Sequence, residues 1–145
     1  VADPLYPTIP VPTTVTAGKK PVTYGKELAF DFATGEFIMK DGAPKVVEGI
    51  EALKVWIEKT IRTARYRFPI YTFSYGCELK DIIGLDIPSP VLESEVTRVI
   101  REALIYDVRI KDVRDFIFER GGDWLKVEFT VIDFTDNSFR QGVSV

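Results

Sequence analysis

Arg62, Arg65 and Arg67 are the residues whose types and spacing first invite chemistry. A guanidinium offers a fixed fork of donors, pairs with carboxylates two bonds at a time, and keeps its charge when partly buried. These arginines stand where a helical pattern gives way to an extended one. There they either grip an acidic partner, brace the turn at Tyr75-Gly76, or form a solvated basic face that complements a helix C-terminus. The sequence holds no histidine. That removes Ser-His-Asp and Cys-His machinery, HExxH zinc sites and histidine proton shuttles together. Carboxylate, lysine or tyrosine chemistry remains. Cys77 is the one cysteine. With no histidine to activate it, it reads as a buried, inert thiol, and it fits a reducing cytoplasm without an internal disulfide. Phosphate loops and metal-ligand clusters are absent from the pattern, so no cofactor is expected.

A helix must carry the first of these residues. Ile50, Leu53, Ile57, Ile61 and Ala64 recur at spacings of three or four and share one helical face. Gly49 sits at the entrance, Glu51 in the first turn, and Pro69 forbids continuation. Trp56 lies one residue beside the apolar stripe, placed for a core contact first and an interface anchor second. Phe68–Tyr75 reads as a partly buried extended segment closed by Tyr75-Gly76. Leu79–Gly84 reads as one helical turn or an irregular loop. Ser89-Pro90 opens a second helix, serine as cap and proline at the first helical position. Its buried stripe is Leu92, Val96, Val99, Ile100, Ala103 and Leu104.

Strands flank this pair of helices. Leu28–Phe32 and Glu36–Met39 around Ala33-Thr34-Gly35 predict a short hairpin, and Asp41-Gly42 a second turn before the helix. Val113–Arg120 and Trp124–Phe134 meet at Gly121-Gly122-Asp123, a hairpin signal. Leu125, Val127, Phe129 and Val131 alternate with Lys126, Glu128 and Thr130, so one face is wet. Phe139–Val145 returns as a last strand, with Val143 and Val145 on one face. The fold class is therefore α+β: an N-terminal β-hairpin and two main helices packed on an antiparallel C-terminal β-meander. Residues 1–25 form a separate, extended arm containing Pro4, Pro7, Pro10, Pro12 and Pro21. Residues 26–145 form a single domain, long enough to bury a core without disulfide or metal. A net charge of −3 argues against a general nucleic-acid binder. No run approaches a membrane span and no secretory signal is visible, so neither nucleic acid nor membrane is an expected partner.

The run from Val46 to Gly84 resembles the lysozyme-like baseplate family of contractile phage tails, whose wedge component is also called the sheath initiator. Gly49, Ile50, Ala52, Leu53, Trp56 and Ile57 carry the likeness. Thr63, Arg65, Tyr66 and Arg67 follow, then Tyr75, Gly76, Leu79 and Ile82–Gly84. The Tyr-Gly and Ile-Gly endings are similar to the branch found in PBSX-type defective prophages. The likeness continues more weakly through Glu93–Leu104 and the hairpin at Gly121-Gly122.

The resemblance implies a structural subunit that joins baseplate wedge proteins to the central tube or hub and seeds the first ring of sheath. It implies many copies in a symmetric particle, assembled in the host cytoplasm and then resident in a tail baseplate of a phage, prophage remnant or bacteriocin. It places Arg65 and Arg67 beside wedge contacts. Arg62, Trp56, Tyr75 and Gly76 join them as partner-binding candidates, and Phe139, Val143 and Val145 as the docking strand. The rival expectation is a peptidoglycan-hydrolysing enzyme. Phage-type lysozymes are marked by a glutamate followed nine positions on by aspartate or cysteine. No glutamate from Glu27 to Glu128 has either at that offset, so no activity and no catalytic residue is expected.

Overall fold

A computed structural model describes Gly18 and residues 20–145, so most of the proline-rich arm lies outside the described residues. The remainder is α+β, as the pattern implies. Six short strands lead into a helix, a one-turn helix and a second long helix follow, and a three-stranded antiparallel sheet completes the order.

The short strands are β1 (Lys26–Leu28), β2 (Phe30–Asp31), β3 (Glu36–Phe37), β4 (Met39–Lys40), β5 (Ala43–Pro44) and β6 (Val46–Glu48). The six strands do more than close the predicted hairpin, which is present as β2–β3 with Phe30 opposite Phe37 and Asp31 opposite Glu36. They form three two-stranded ladders, β1–β6, β2–β3 and β4–β5, that meet at a corner. Ala29, Ile38 and Lys45 close that corner cyclically. The Ala29 N–H donates to the Lys45 carbonyl (2.7 Å), Ile38 N–H to Ala29 (2.9 Å), and Lys45 N–H to Ile38 (2.8 Å). The predicted turn at Asp41-Gly42 is present, both residues at positive φ (53° and 79°), which matches the twist of a tight hairpin. Val46–Glu48 forms a strand paired with β1 immediately before the helix.

Helix α1 (Ile50–Arg62) starts at Gly49, which takes φ 68°, and ends at Thr63, well short of Pro69. It buries Ala52, Leu53, Trp56, Ile57, Thr60 and Ile61. Helix α2 is Leu79–Ile83 and helix α3 is Ser89–Leu104. Ser89 and Pro90 lie inside α3, with Pro88 at its cap and no side-chain capping bond, so the expected serine cap is displaced by one residue. The predicted stripe of α3 is buried in full.

The sheet consists of β7 (Ile110–Gly121), β8 (Trp124–Asp133) and β9 (Ser138–Ser144), in that order across it. Leu125, Val127, Phe129 and Val131 of β8 point into the core with Val113 of β7 and Val143 of β9. Against them pack the apolar stripes of α1 and α3, giving one continuous core. A side chain such as Phe129, removed wholly from water, contributes about 1.5–3 kcal/mol by burial. Asp133 ties the body together at its far end. Its buried carboxylate accepts from the Tyr24 hydroxyl (2.7 Å), the Thr135 hydroxyl (2.6 Å) and the N–H groups of Thr135 and Asn137 (2.8 and 3.0 Å).

Candidate partner-binding site

The register of β8 with β9 decides which backbone groups are free. Leu125 and Val145 exchange both hydrogen bonds, at 2.8 and 2.9 Å. In an antiparallel ladder such pairs alternate, so Val143, Gln141 and Phe139 also bond inward, to Val127, Phe129 and Val131. The N–H and C=O groups of Ser138, Arg140, Gly142 and Ser144 therefore point away from β8. Among the described residues no backbone group bonds them from outside. Val143 is 1% exposed, and Phe139 and Val145 are half-buried. These apolar side chains hold the strand down while its outer edge stays open.

Helix α1 flanks that edge with Lys54, Glu58 and Arg62, spaced four apart and therefore on one side. The Lys54 ammonium lies 5.6 Å from the Phe139 ring centroid. Arg62 binds Glu58 through Nε and Nη2 (3.1 and 2.9 Å), and its guanidinium sits 5.3 Å from the Phe32 ring at the tip of the β2–β3 hairpin. A groove of about 460 Å³ runs between, bounded by Phe32, Glu58 and Arg62 on one side and Lys126, Gly142 and Ser144 on the other. Arg62, Lys80, Ile83 and Val145 bound a second hollow at its end. Arg62 thus joins the β9 residues in one place.

The other arginines go elsewhere. Arg65 Nε donates to the Gly76 carbonyl (3.2 Å). Around it the Cys77 N–H donates to Thr63 (2.8 Å) and the Arg65 N–H to Cys77 (3.3 Å), forming a parallel bridge between Ala64 and Cys77. Gly76 is required here. It has φ 100°, and a Cβ would meet the Thr63 oxygen at 2.9 Å and Arg65 backbone at 3.0 Å. Arg65 therefore braces the Tyr75-Gly76 turn, while Arg67 is exposed and no ion pair among the described residues includes it. Burial pushes the Cys77 thiol up to about 11, which keeps it protonated and unreactive at neutral pH.

Trp56 is buried to 9% exposure. The Arg109 guanidinium lies 4.8 Å from its ring, and Tyr75 and Tyr106 each stand 6.4 Å away edge-on. Its surroundings are those of a core residue. Phe68–Tyr75 departs furthest from expectation. It is not an extended, partly buried segment but an exposed loop of turns, with Ile70 84% and Phe73 81% exposed. Sequence reasoning missed this surface because aromatic content alone does not say whether the chain supplies a partner. The pairing of Arg62 with Phe32 and the β9 edge was also missed, since it depends on contacts between distant segments.

Comparison with known proteins adds an independent line. The family model described as contractile injection system sheath initiator matches residues 26–135. The phage-like element PBSX protein XkdS of Bacillus subtilis (strain 168) is 35% identical over 88 residues, an alignment covering 60% of this chain and 62% of that protein. The matched portion is thus less than two thirds of the relative's length.

Proposed function

The chain belongs to the contractile injection system sheath initiator family, and on that premise we propose that it is a structural component of a tail baseplate wedge. In this reading it joins wedge proteins to the central tube or hub and offers the first docking edge to the sheath. It assembles in the host cytoplasm and resides in the baseplate of a virion or tail-like particle, in several symmetric copies. The observation that carries the reading is the free outer edge of β9 beside a groove lined by Arg62 and Phe32. A strand added there gains backbone hydrogen bonds from Ser138, Arg140, Gly142 and Ser144 with little demand on side-chain identity. Phe139, Val143 and Val145 set the position of that edge, and Arg62 offers a charged contact at its side. Exposed Arg67 is the contact toward wedge proteins, while Arg65, Tyr75, Gly76 and Trp56 hold its base in place. The work is recognition without a catalytic step, which the failed glutamate pattern and the protonated Cys77 thiol support.

The experiment is Ser144→Pro in the intact particle. Proline removes one outward N–H and leaves the inward ladder whole. Wedge and tube assembly should proceed and tubes should carry no extended sheath. Sheath of normal length on this variant overturns the proposal.

A further inference from the structure

Phe30, Phe32 and Phe37 lie outside the main core, around a ladder only two residue pairs long. Phe30 meets Phe32 edge-on at 4.9 Å and Phe37 edge-on at 5.1 Å. Phe37 remains 50% exposed and Leu28 42%. With Leu28 and Val55 these rings enclose a hollow of about 270 Å³ against α1. Glu27 and Lys59 supply its polar lining, and they pair with each other at 2.9 Å. A charged guest would enter without a counter-ion and bear the cost of desolvation, so the hollow selects an uncharged, apolar group. Its volume falls below the roughly 300–1,000 Å³ of sites that enclose a whole small molecule. It suits a single large side chain presented by another chain, the usual form of an interface anchor.

The wall of the hollow is preformed. The Asp31 carboxylate accepts from the Ala33 N–H (2.9 Å) and the Thr34 N–H (3.4 Å), and the Gly35 N–H donates to the Asp31 carbonyl (2.8 Å). This closed turn fixes the backbone that carries Phe32. The Arg62 guanidinium lies 5.3 Å from the Phe32 ring, and Glu58 holds Arg62 from one turn earlier in the helix. Phe32 borders two spaces, the hollow and the groove that runs along β9. A strand paired with β9 lies about 4.8 Å outside it and sends alternate side chains to the face on which Phe139 and Val143 sit. Helix α1 covers that face: Lys54 reaches the Phe139 ring, and Glu58 and Arg62 border the groove. The side chains that such a strand turns toward α1 therefore arrive at Phe32, with the hollow on its other side.

We propose that the hollow between Phe30, Phe32 and Phe37 is the anchor pocket for the segment that pairs with β9, and that it takes one aromatic or large aliphatic side chain of that segment. The inference rests on the reading of β9 as a docking edge and adds a demand on side-chain identity that backbone pairing lacks. The test uses the intact particle with a photoreactive benzophenone in place of the exposed Phe37 ring. Irradiation should link position 37 to an apolar residue in an extended segment of a sheath subunit, located by mass spectrometry of the linked peptides. A link to a wedge or tube protein, or no link, overturns the proposal. Val55→Phe fills the hollow from the helix side. It should leave the urea midpoint of the free chain near the parent's and reduce sheathed tubes about tenfold or more, the scale of losing one interface anchor. Normal sheath on Val55→Phe overturns the proposal; should that variant fold poorly, the link from position 37 decides alone. Ser144→Pro separates this inference from the reading beneath it. Sheath lost in Ser144→Pro but normal in Val55→Phe removes the anchor and leaves the β9 edge standing. Normal sheath in Ser144→Pro, with the link from position 37 retained, removes the β9 edge and with it the single shared segment proposed here.

Discussion

β7 and β9 pair with the same strand, β8, and meet the solvent in opposite ways. β7 is interrupted twice. Lys111 is an extra residue between the Ile110–Asp133 and Asp112–Ile132 pairs, and Asp115 with Phe116 opposes the single residue Phe129. Asp115 turns to φ 57° at the second bulge. Charged Lys111, Asp112, Arg114, Asp115, Glu119 and Arg120 occupy half of the strand. β9 runs in unbroken register from Ser138 to Ser144, with Arg140 its one charge. Bulges and charges are the devices by which folded proteins prevent a strand edge from recruiting another chain. One edge of this sheet carries them and the other does not. The contrast marks β9 as the unguarded side, because both edges belong to one sheet and share one core.

The largest expected effect comes from removing the open edge altogether. Deleting Gly142–Val145 removes Val143, which is buried beneath the sheet, and Val145, which pairs with Leu125. The deletion should cost on the order of 3 kcal/mol, as the loss of a fully buried aliphatic side chain together with its neighbours does. A urea midpoint shifted strongly downward is the expected outcome; an unchanged midpoint would show that β9 is not part of the core.

Next in size is Asp133, at the turn that sets β9 against β8. Burial opposes its charge, but hydrogen bonds from the Thr135 and Tyr24 hydroxyls and from the Thr135 and Asn137 N–H groups outweigh this and hold the carboxyl below the ordinary aspartate range. A native pKa below the unfolded one stabilises fully above the unfolded value and is lost as pH falls through the native value. Asp133→Asn should therefore cost about 1–3 kcal/mol at neutral pH. It should also flatten the fall in stability below about pH 4 relative to the parent. Equal slopes in acid would mean that another carboxylate governs that limb.

A smaller effect of opposite sign is expected on the guarded edge. Asp115 occupies the left-handed region at roughly 1 kcal/mol relative to glycine. Its side chain is exposed and its contact with Arg114 is long, at 3.8 Å. Asp115→Gly should raise stability by somewhat less than about 1 kcal/mol, because glycine also loses more freedom on folding. A lowered melting temperature would mean that the carboxylate, not the backbone, maintains the bulge.

Much of this contrast was legible in the sequence, and the rest was not, for physical reasons. The alternation in β8 and the stripe of α3 name their buried residues correctly, because burial of a regular element repeats with its own period. The absence of charge after Arg140 is likewise readable. The bulges of β7 are not, since an extra residue shifts the period without changing composition. The three ladders before α1 are paired over two or three residues each, too few for alternation to appear. Among the candidate residues, Arg65 carries three readings, a grip on an acidic partner, a brace at the turn or a solvated basic face, and its bond to the Gly76 carbonyl matches the brace. Arg62 required the packing of Phe32 and β9 on α1 to acquire its setting.

The smallest expected effect is the most discriminating. Along β9 the backbone N–H groups alternate between the ladder and solvent, so proline should alternate in cost with them. The Gln141 N–H bonds to Phe129, and Gln141→Pro removes a ladder bond worth about 0.5–1.5 kcal/mol, with added strain from the ring. The Gly142 N–H points outward, and a Cβ at Gly142 meets only the Glu128 Cγ at 3.5 Å, an ordinary contact. Its φ is not in the positive range, so no left-handed conformation is lost. Gly142→Pro also narrows the unfolded ensemble, a gain of about 0.4–1 kcal/mol when the native backbone tolerates the ring. The net change in stability should therefore lie within about 0.5 kcal/mol of zero. Paired chemical denaturation of the two variants checks this directly. Equal, large losses would mean that the outward N–H of Gly142 already has a partner, and the open edge would then not exist. A near-neutral Gly142→Pro beside a destabilised Gln141→Pro establishes the register and leaves the edge free for another strand.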